Sequence, residues 1–123
     1  MHKINMYKEV YEVKTGELVK GSAGMLVLKL LAQAPMHGYE IIKKMEKRSL
    51  GVFSLKEGTL YPILHALEAE GLTSAQWEGD TGRKRKVYSI TAKGVKRLKE
   101  KHEEWNTVKV AVDRIMEGAQ YAV

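Results

Sequence analysis

Apolar positions keep a helical period through the first half of the chain, switch to strand-like alternation between residues 72 and 90, and then return to a helical period. From Leu18 to Gln33 the stretch LVKGSAGMLVLKLLAQ is apolar on nearly every side after Gly24, which predicts a central helix touched by several neighbours. Ala34, Pro35 and Met36 break it. Gly38 to Ser49 predicts a second helix, with Tyr39, Ile42, Met45 and Ser49 on one face, Lys43, Lys44, Glu46 and Lys47 on the other, and Gly51 as its stop. A third helix is expected from Ser54, whose hydroxyl fits a capping box with Glu57 three residues on. Leu60, Leu64 and Leu67, with Ile63 beside them, form its apolar face; Lys56, Thr59, Tyr61, His65 and Glu68 form the other, and Gly71 ends it. Pro62 removes a hydrogen bond and crowds the carbonyl four residues back, so a tightened or kinked first turn is expected, eased by Gly58. Two helices joined by a short turn, the second polar at its front, have the form of a helix-turn-helix.

After Gly71, the runs Leu72 to Glu78 and Lys84 to Ile90 are separated by Gly79, Asp80, Thr81, Gly82 and Arg83, which predicts a hairpin with a long, glycine-bearing tip. A hairpin directly after a helix-turn-helix is a wing. Its returning side begins with four consecutive cations, Arg83, Lys84, Arg85 and Lys86. Thr91 then caps a last helix expected to reach Glu117, in which Leu98, Trp105 and Val112 recur every seven residues with Val95, His102, Val108 and Ile115 between them. At about 1.5 Å per residue that helix is too long for so small a domain to cover, so its seam implies a second subunit. Residues 1–17 have two readings, an accessory helix carrying Ile4, Tyr7, Val10 and Tyr11 or a frayed arm. The fold class is therefore mainly α with a β-hairpin wing. Residues 18–91 form the winged helix-turn-helix unit and 92–123 the C-terminal dimerisation helix.

Charge and composition narrow the function. The chain has 123 residues, enough for one domain, and its 21 Lys and Arg against 15 Asp and Glu leave a net charge of +6, which suits an anionic partner. Without cysteine there is no disulfide framework, thiolate zinc site or cysteine nucleophile. The longest apolar run, around Met25 to Leu31, is broken by Lys29 and far short of the roughly 20 residues of a membrane span. With no signal-like segment near Lys3, Lys8 and Glu9, a soluble cytoplasmic protein is expected. His2, His37, His65 and His102 fall on separate elements without metal-ligand spacing, and no phosphate loop or nucleophile elbow occurs. Gly21 and Gly24 open a helix but lack the preceding strand of a dinucleotide site. No enzyme and no cofactor are expected.

In order, the apolar first helix ending at Leu31, His37-Gly38-Tyr39-Glu40-Ile41, Glu57-Gly58-Thr59-Leu60-Tyr61-Pro62 with Leu64, Leu67 and Glu68, Glu70-Gly71-Leu72, Gly82 through Tyr88, and Ile90-Thr91-Ala92-Lys93-Gly94 resemble the PadR family of transcriptional regulators, in its smaller branch with a single C-terminal helix. The resemblance covers about residues 18–117. It implies a homodimer that binds a roughly palindromic double-stranded DNA operator and usually represses, with recognition helices in successive major grooves about 34 Å apart. It also implies an effector that is phenolic or a flat, aromatic, cationic or drug-like molecule and, in some members, a tryptophan of the last helix stacked on it at the dimer interface. Trp105 falls at that position.

Each candidate residue carries a plainer reading beside the functional one. Thr59 and Tyr61 sit where hydroxyls reach phosphates or base edges, against a structural tyrosine under the wing. His65 stands open between contact and bystander, and Lys56 is assigned to phosphate. Arg83, Lys84, Arg85 and Lys86 are DNA contacts or a solvated strand. Tyr39 reaches the DNA backbone or packs in the core. Trp105 packs at the dimer seam or stacks on a ligand there, and Met25 lines that cavity or is ordinary core. Lys109, one turn from Trp105, leaves room for an anionic ligand such as a phenolic acid. The alternative function is a winged-helix protein-interaction module that turns its basic wing to an acidic protein.

Overall fold

The computed structural model describes residues 21–118, so the arm or accessory helix expected over residues 1–17 lies outside the described part. The first described element, helix α1, occupies residues 21–33 and buries Ala23, Val27, Leu28, Leu30 and Leu31, the many-sided contact its composition requires. A two-residue strand, β1 (Met36–His37), follows, then helix α2 (Gly38–Arg48), helix α3 (Glu57–Ala69), strands β2 (Thr73–Glu78) and β3 (Arg85–Ile90), and helix α4 (Ala92–Glu117). The strands form an antiparallel sheet in the order β1-β3-β2, with Met36 opposite Tyr88 and Trp77 opposite Lys86. The core lies where α1, α2 and α3 meet the inner end of the hairpin, with Ile41, Leu60, Leu64, Leu72 and Tyr88 fully enclosed.

Three local expectations change. The buried face of α2 is Gly38, Ile41 and Met45, and Tyr39 is 59% exposed, so the core reading of Tyr39 is corrected. The cause is β1, whose pairing with β3 fixes how the chain enters the helix. Helix α3 begins at Glu57, with Lys56 at the cap and no side-chain capping bond, so the Ser54–Glu57 box does not form. Leu55 is buried and holds the segment before Lys56 out of the helix. The first turn is tight nonetheless, for the Lys56 carbonyl accepts from both the Thr59 and Leu60 amides at 3.0 and 2.9 Å, and the helix runs on through Pro62. At the end of α2 the first left-handed position is taken by Leu50, φ 54°, one residue before Gly51. Gly71, φ 76°, does terminate α3, as the Leu72 amide returns to the Leu67 carbonyl at 2.9 Å.

Helix α4 starts where expected, with the Thr91 hydroxyl accepting from the Gly94 amide at 3.0 Å. Its root is fastened to the end of α3. The Thr91 hydroxyl donates to the Gly71 carbonyl at 2.7 Å, Lys93 Nζ donates to the Glu70 carbonyl at 2.8 Å, and the Thr91 amide donates to the Leu72 carbonyl at 3.0 Å. Gly94 is required there, because a Cβ would overlap the Leu72 carbonyl oxygen. Beyond Leu98 every described residue of α4 is exposed, including Trp105, Val108, Val112, Ile115 and Met116.

Candidate nucleic-acid interface

Helices α2 and α3 and the hairpin enclose an open cleft of about 1000 Å³. Into it converge Tyr61 and His65 from α3 and Arg83, Lys84, Arg85 and Lys86 from the wing, six of the eight residues expected to meet DNA. Lys56 and Thr59 are exposed on the first turn of α3, outside the cleft lining. The Tyr61 ring is partly exposed and lies on Gly38, where an added Cβ would be 2.8 Å from its hydroxyl oxygen. The absent side chain of Gly38 is what lets the ring lie against the start of α2.

The wing cations divide by partner. Lys86 is half-buried, donates to Glu68 Oε1 at 3.3 Å and has its ammonium 5.4 Å from the centre of the Tyr88 ring. The hydrogen bond to Glu68 holds its pKa above the usual lysine value, and burial raises that of the Tyr88 phenol. Lys86 is thus tied to α3, while Arg83 and Lys84 at the tip stand exposed. Arg85 Nη1 lies 3.2 Å from His37 Nε2.

His37, Lys43 and Trp77 also line the cleft, beyond the residues expected there from the sequence, and Tyr39, whose other reading is a DNA-backbone contact, lines it too. His37 caps α2 in a box with Glu40: its Nδ1 accepts from the Glu40 amide at 3.4 Å, and its own amide donates to Glu40 Oε1 at 3.3 Å. Tyr39 stacks beside His37, and Lys43, one turn on, sits 5.0 Å from the Tyr39 ring centre. That spacing of four, aromatic then cation, is the signal the sequence holds for them. No group of three or more metal-ligating side chains gathers among the described residues.

A second groove, of about 440 Å³, runs between α1 and α4. Met25, Leu26, Val95, Leu98 and Trp105 supply its walls, so the structure does bring Met25 and Trp105 together. Lys29, Lys99 and His102 lie along it; Lys109 does not.

The model of the Transcriptional regulator PadR-like family matches residues 27–100, from within α1 through the hairpin to the root of α4. The chain belongs to this family. As a PadR-like protein it is a transcriptional regulator and not an enzyme. An uncharacterized protein of Lysinibacillus sphaericus is 35% identical over 106 residues, 85% of this chain and 96% of its own length. Transcriptional regulator YqjI of Escherichia coli is 27% identical over 80% of this chain, which spans 46% of YqjI. Among solved structures, a PadR family transcriptional regulator from Eggerthella lenta superposes with a TM-score of 0.77 at 28% identity, covering 92% of this chain and 97% of its own. A transcriptional regulator from Clostridium thermocellum gives 0.76 at 31% identity, covering 80% and 96%. PadR-like winged helix architecture with a long C-terminal helix is thus shared with its neighbours. No helix among the described residues is long and apolar enough to cross a membrane.

Proposed function

We propose that this PadR-like protein is a cytoplasmic repressor that binds a palindromic DNA operator as a homodimer and leaves it when a small aromatic or phenolic effector binds. The observation that carries the DNA part is the single cleft in which Tyr61 and His65 of α3 face the wing cations. In this reading residues 18–91 are the DNA-binding unit and 92–123 the dimerisation segment that contains α4. Helix α3 enters the major groove, Lys56, Thr59, Tyr61 and His65 meet phosphates or base edges, and Arg83, Lys84 and Arg85 follow the backbone beside it. Lys86 contributes its field and keeps the wing on α3. The exposed apolar stripe of α4 supports the dimer.

The effector would sit in the α1–α4 groove, flat against Trp105 with Met25 behind it. Lys29 and Lys99 favour an aromatic acid over an organic cation there. Release follows when the effector binds better to the dimer geometry in which the two recognition helices are misaligned.

The test is a salt titration of binding to DNA upstream of the protein's own gene, with scrambled DNA of equal length beside it. Tighter binding to the upstream DNA is expected. The double variant Arg83→Ala with Arg85→Ala should lower the slope of log affinity against log salt by roughly 0.9 for each phosphate no longer neutralised. Equal, weak, salt-labile binding to both duplexes would count against an operator there and bring the protein-interaction module forward.

A further inference from the structure

Trp77 is the largest side chain in the cleft, and neither the core nor the α4 seam uses it. It sits on β2 opposite Lys86 and so shares a hairpin face with Ala75, Lys86 and Tyr88. Along that face Tyr88 is 1% exposed, and Lys86 is fastened to Glu68 of α3. Trp77 stands one step further out, 66% exposed, where the same face leaves the core and becomes the cleft wall. Its indole N–H has no hydrogen-bond partner among the described residues. A wide apolar ring with a free donor has thus been placed in a polar, cationic cleft, across from Tyr61 and His65.

A DNA strand offers two things to such a ring. The deoxyribose presents an apolar face, and the flanking phosphate presents anionic acceptors. We infer that Trp77 is a backbone anchor for the wing, lying against a deoxyribose and donating its indole N–H to a phosphate of the strand that runs between α3 and the hairpin. This rests on the DNA-binding reading above. It adds a contact of a different kind from the arginines, because the indole is neutral and displaces no counterion. The wing then has charged groups that set salt dependence and one uncharged group that adds affinity at every salt concentration.

This difference is the test. Wild type, Trp77→Ala and Trp77→Phe are titrated against the upstream duplex and its scrambled control over a range of salt. Trp77→Ala is expected to weaken binding to both duplexes by about tenfold, the scale of one neutral contact, with the salt slope unchanged. Trp77→Phe keeps the ring face without the donor and should fall between. The chain has two tryptophans, so in Trp105→Phe the fluorescence comes from Trp77 alone, and added duplex should shield it from acrylamide quenching.

Unchanged affinity in Trp77→Ala together with unchanged acrylamide access overturns the anchor while leaving the DNA reading standing. A loss of affinity that comes with a reduced salt slope also overturns it, since the ring would then be acting through the arginines. If Trp77→Ala melts at a lower temperature, the shielding in Trp105→Phe decides, because there Trp77 is intact. If the wild type binds neither duplex, the DNA reading fails and the anchor with it.

Discussion

Thr73, at the start of β2, is buried at 3% exposure, and its hydroxyl oxygen has no hydrogen-bond partner among the described residues. A buried hydroxyl left unpaired costs about 1 to 3 kcal/mol of desolvation, and valine has nearly the same shape. Thr73→Val is therefore expected to stabilise the fold by about 1 kcal/mol, measured by urea denaturation, with no change in DNA binding. Single residues are also where the sequence is hardest to read. The box at Ser54 matches the usual pattern of Ser and Glu three apart, yet burial of Leu55 overrides it. The box that does form uses a histidine, His37, which capping preferences do not single out. Leucine at the left-handed position 50 runs against backbone sterics, and nothing local in the sequence marks it. The stop at Gly71 and the cap at Thr91 are legible because there the local chemistry and the tertiary contacts agree.

Among the elements, β3 and α3 are joined by a charged contact and a buried phenol. Lys86 has its pKa raised chiefly by Glu68, and Tyr88 has its own raised chiefly by burial. A group whose pKa is higher folded than unfolded adds stability that is complete below the unfolded value and disappears as pH climbs through the folded one. The clamp is therefore indifferent to pH around neutrality and is lost above about pH 10, where lysine and tyrosine ordinarily titrate. In thermal melts followed by circular dichroism, a stability gap between wild type and Glu68→Gln, present at about pH 8, should close on the alkaline side. The pattern of elements is readable because α1 is a long apolar run, α3 spaces Leu60, Leu64 and Leu67 along one face, α4 repeats apolar residues every seven, and the hairpin has turn residues at its tip. The strand β1 is not. Two residues hold no periodicity, and Met36–His37 is a strand only because β3 lies beside it. That strand accounts for the shifted face of α2, for Tyr39 in the cleft and for His37 beside Arg85.

At the scale of the whole molecule, the apolar residues of α4 face outward along its length, Ile115 and Met116 each at 79% exposure. If α4 holds the proposed dimer, replacing Val112 and Ile115 by lysine gives a monomer in sedimentation velocity where the wild type sediments as a dimer. The helical circular dichroism and the fold of residues 21–98 should be kept, because neither side chain touches the core. The pairing of α2 and α3 with the wing is legible in the chain order alone. The depth of the cleft and the placing of Trp77 on its wall are not, since they depend on hairpin register, which turn composition leaves open.

The fastening of α4 to α3 through Gly71, Leu72 and Gly94 gives the two helices the mechanics of a bent lever with a stiff elbow. The long arm has 26 residues, about 39 Å. In the proposed dimer, a wedge that tilted this arm by about 5° would move its far end by roughly 3 Å and load the end of α3 to which its root is fastened. In the proposed dimer, two such levers crossed along their long arms would work like callipers, and the proposed effector beside Trp105 would reset the gap between the jaws.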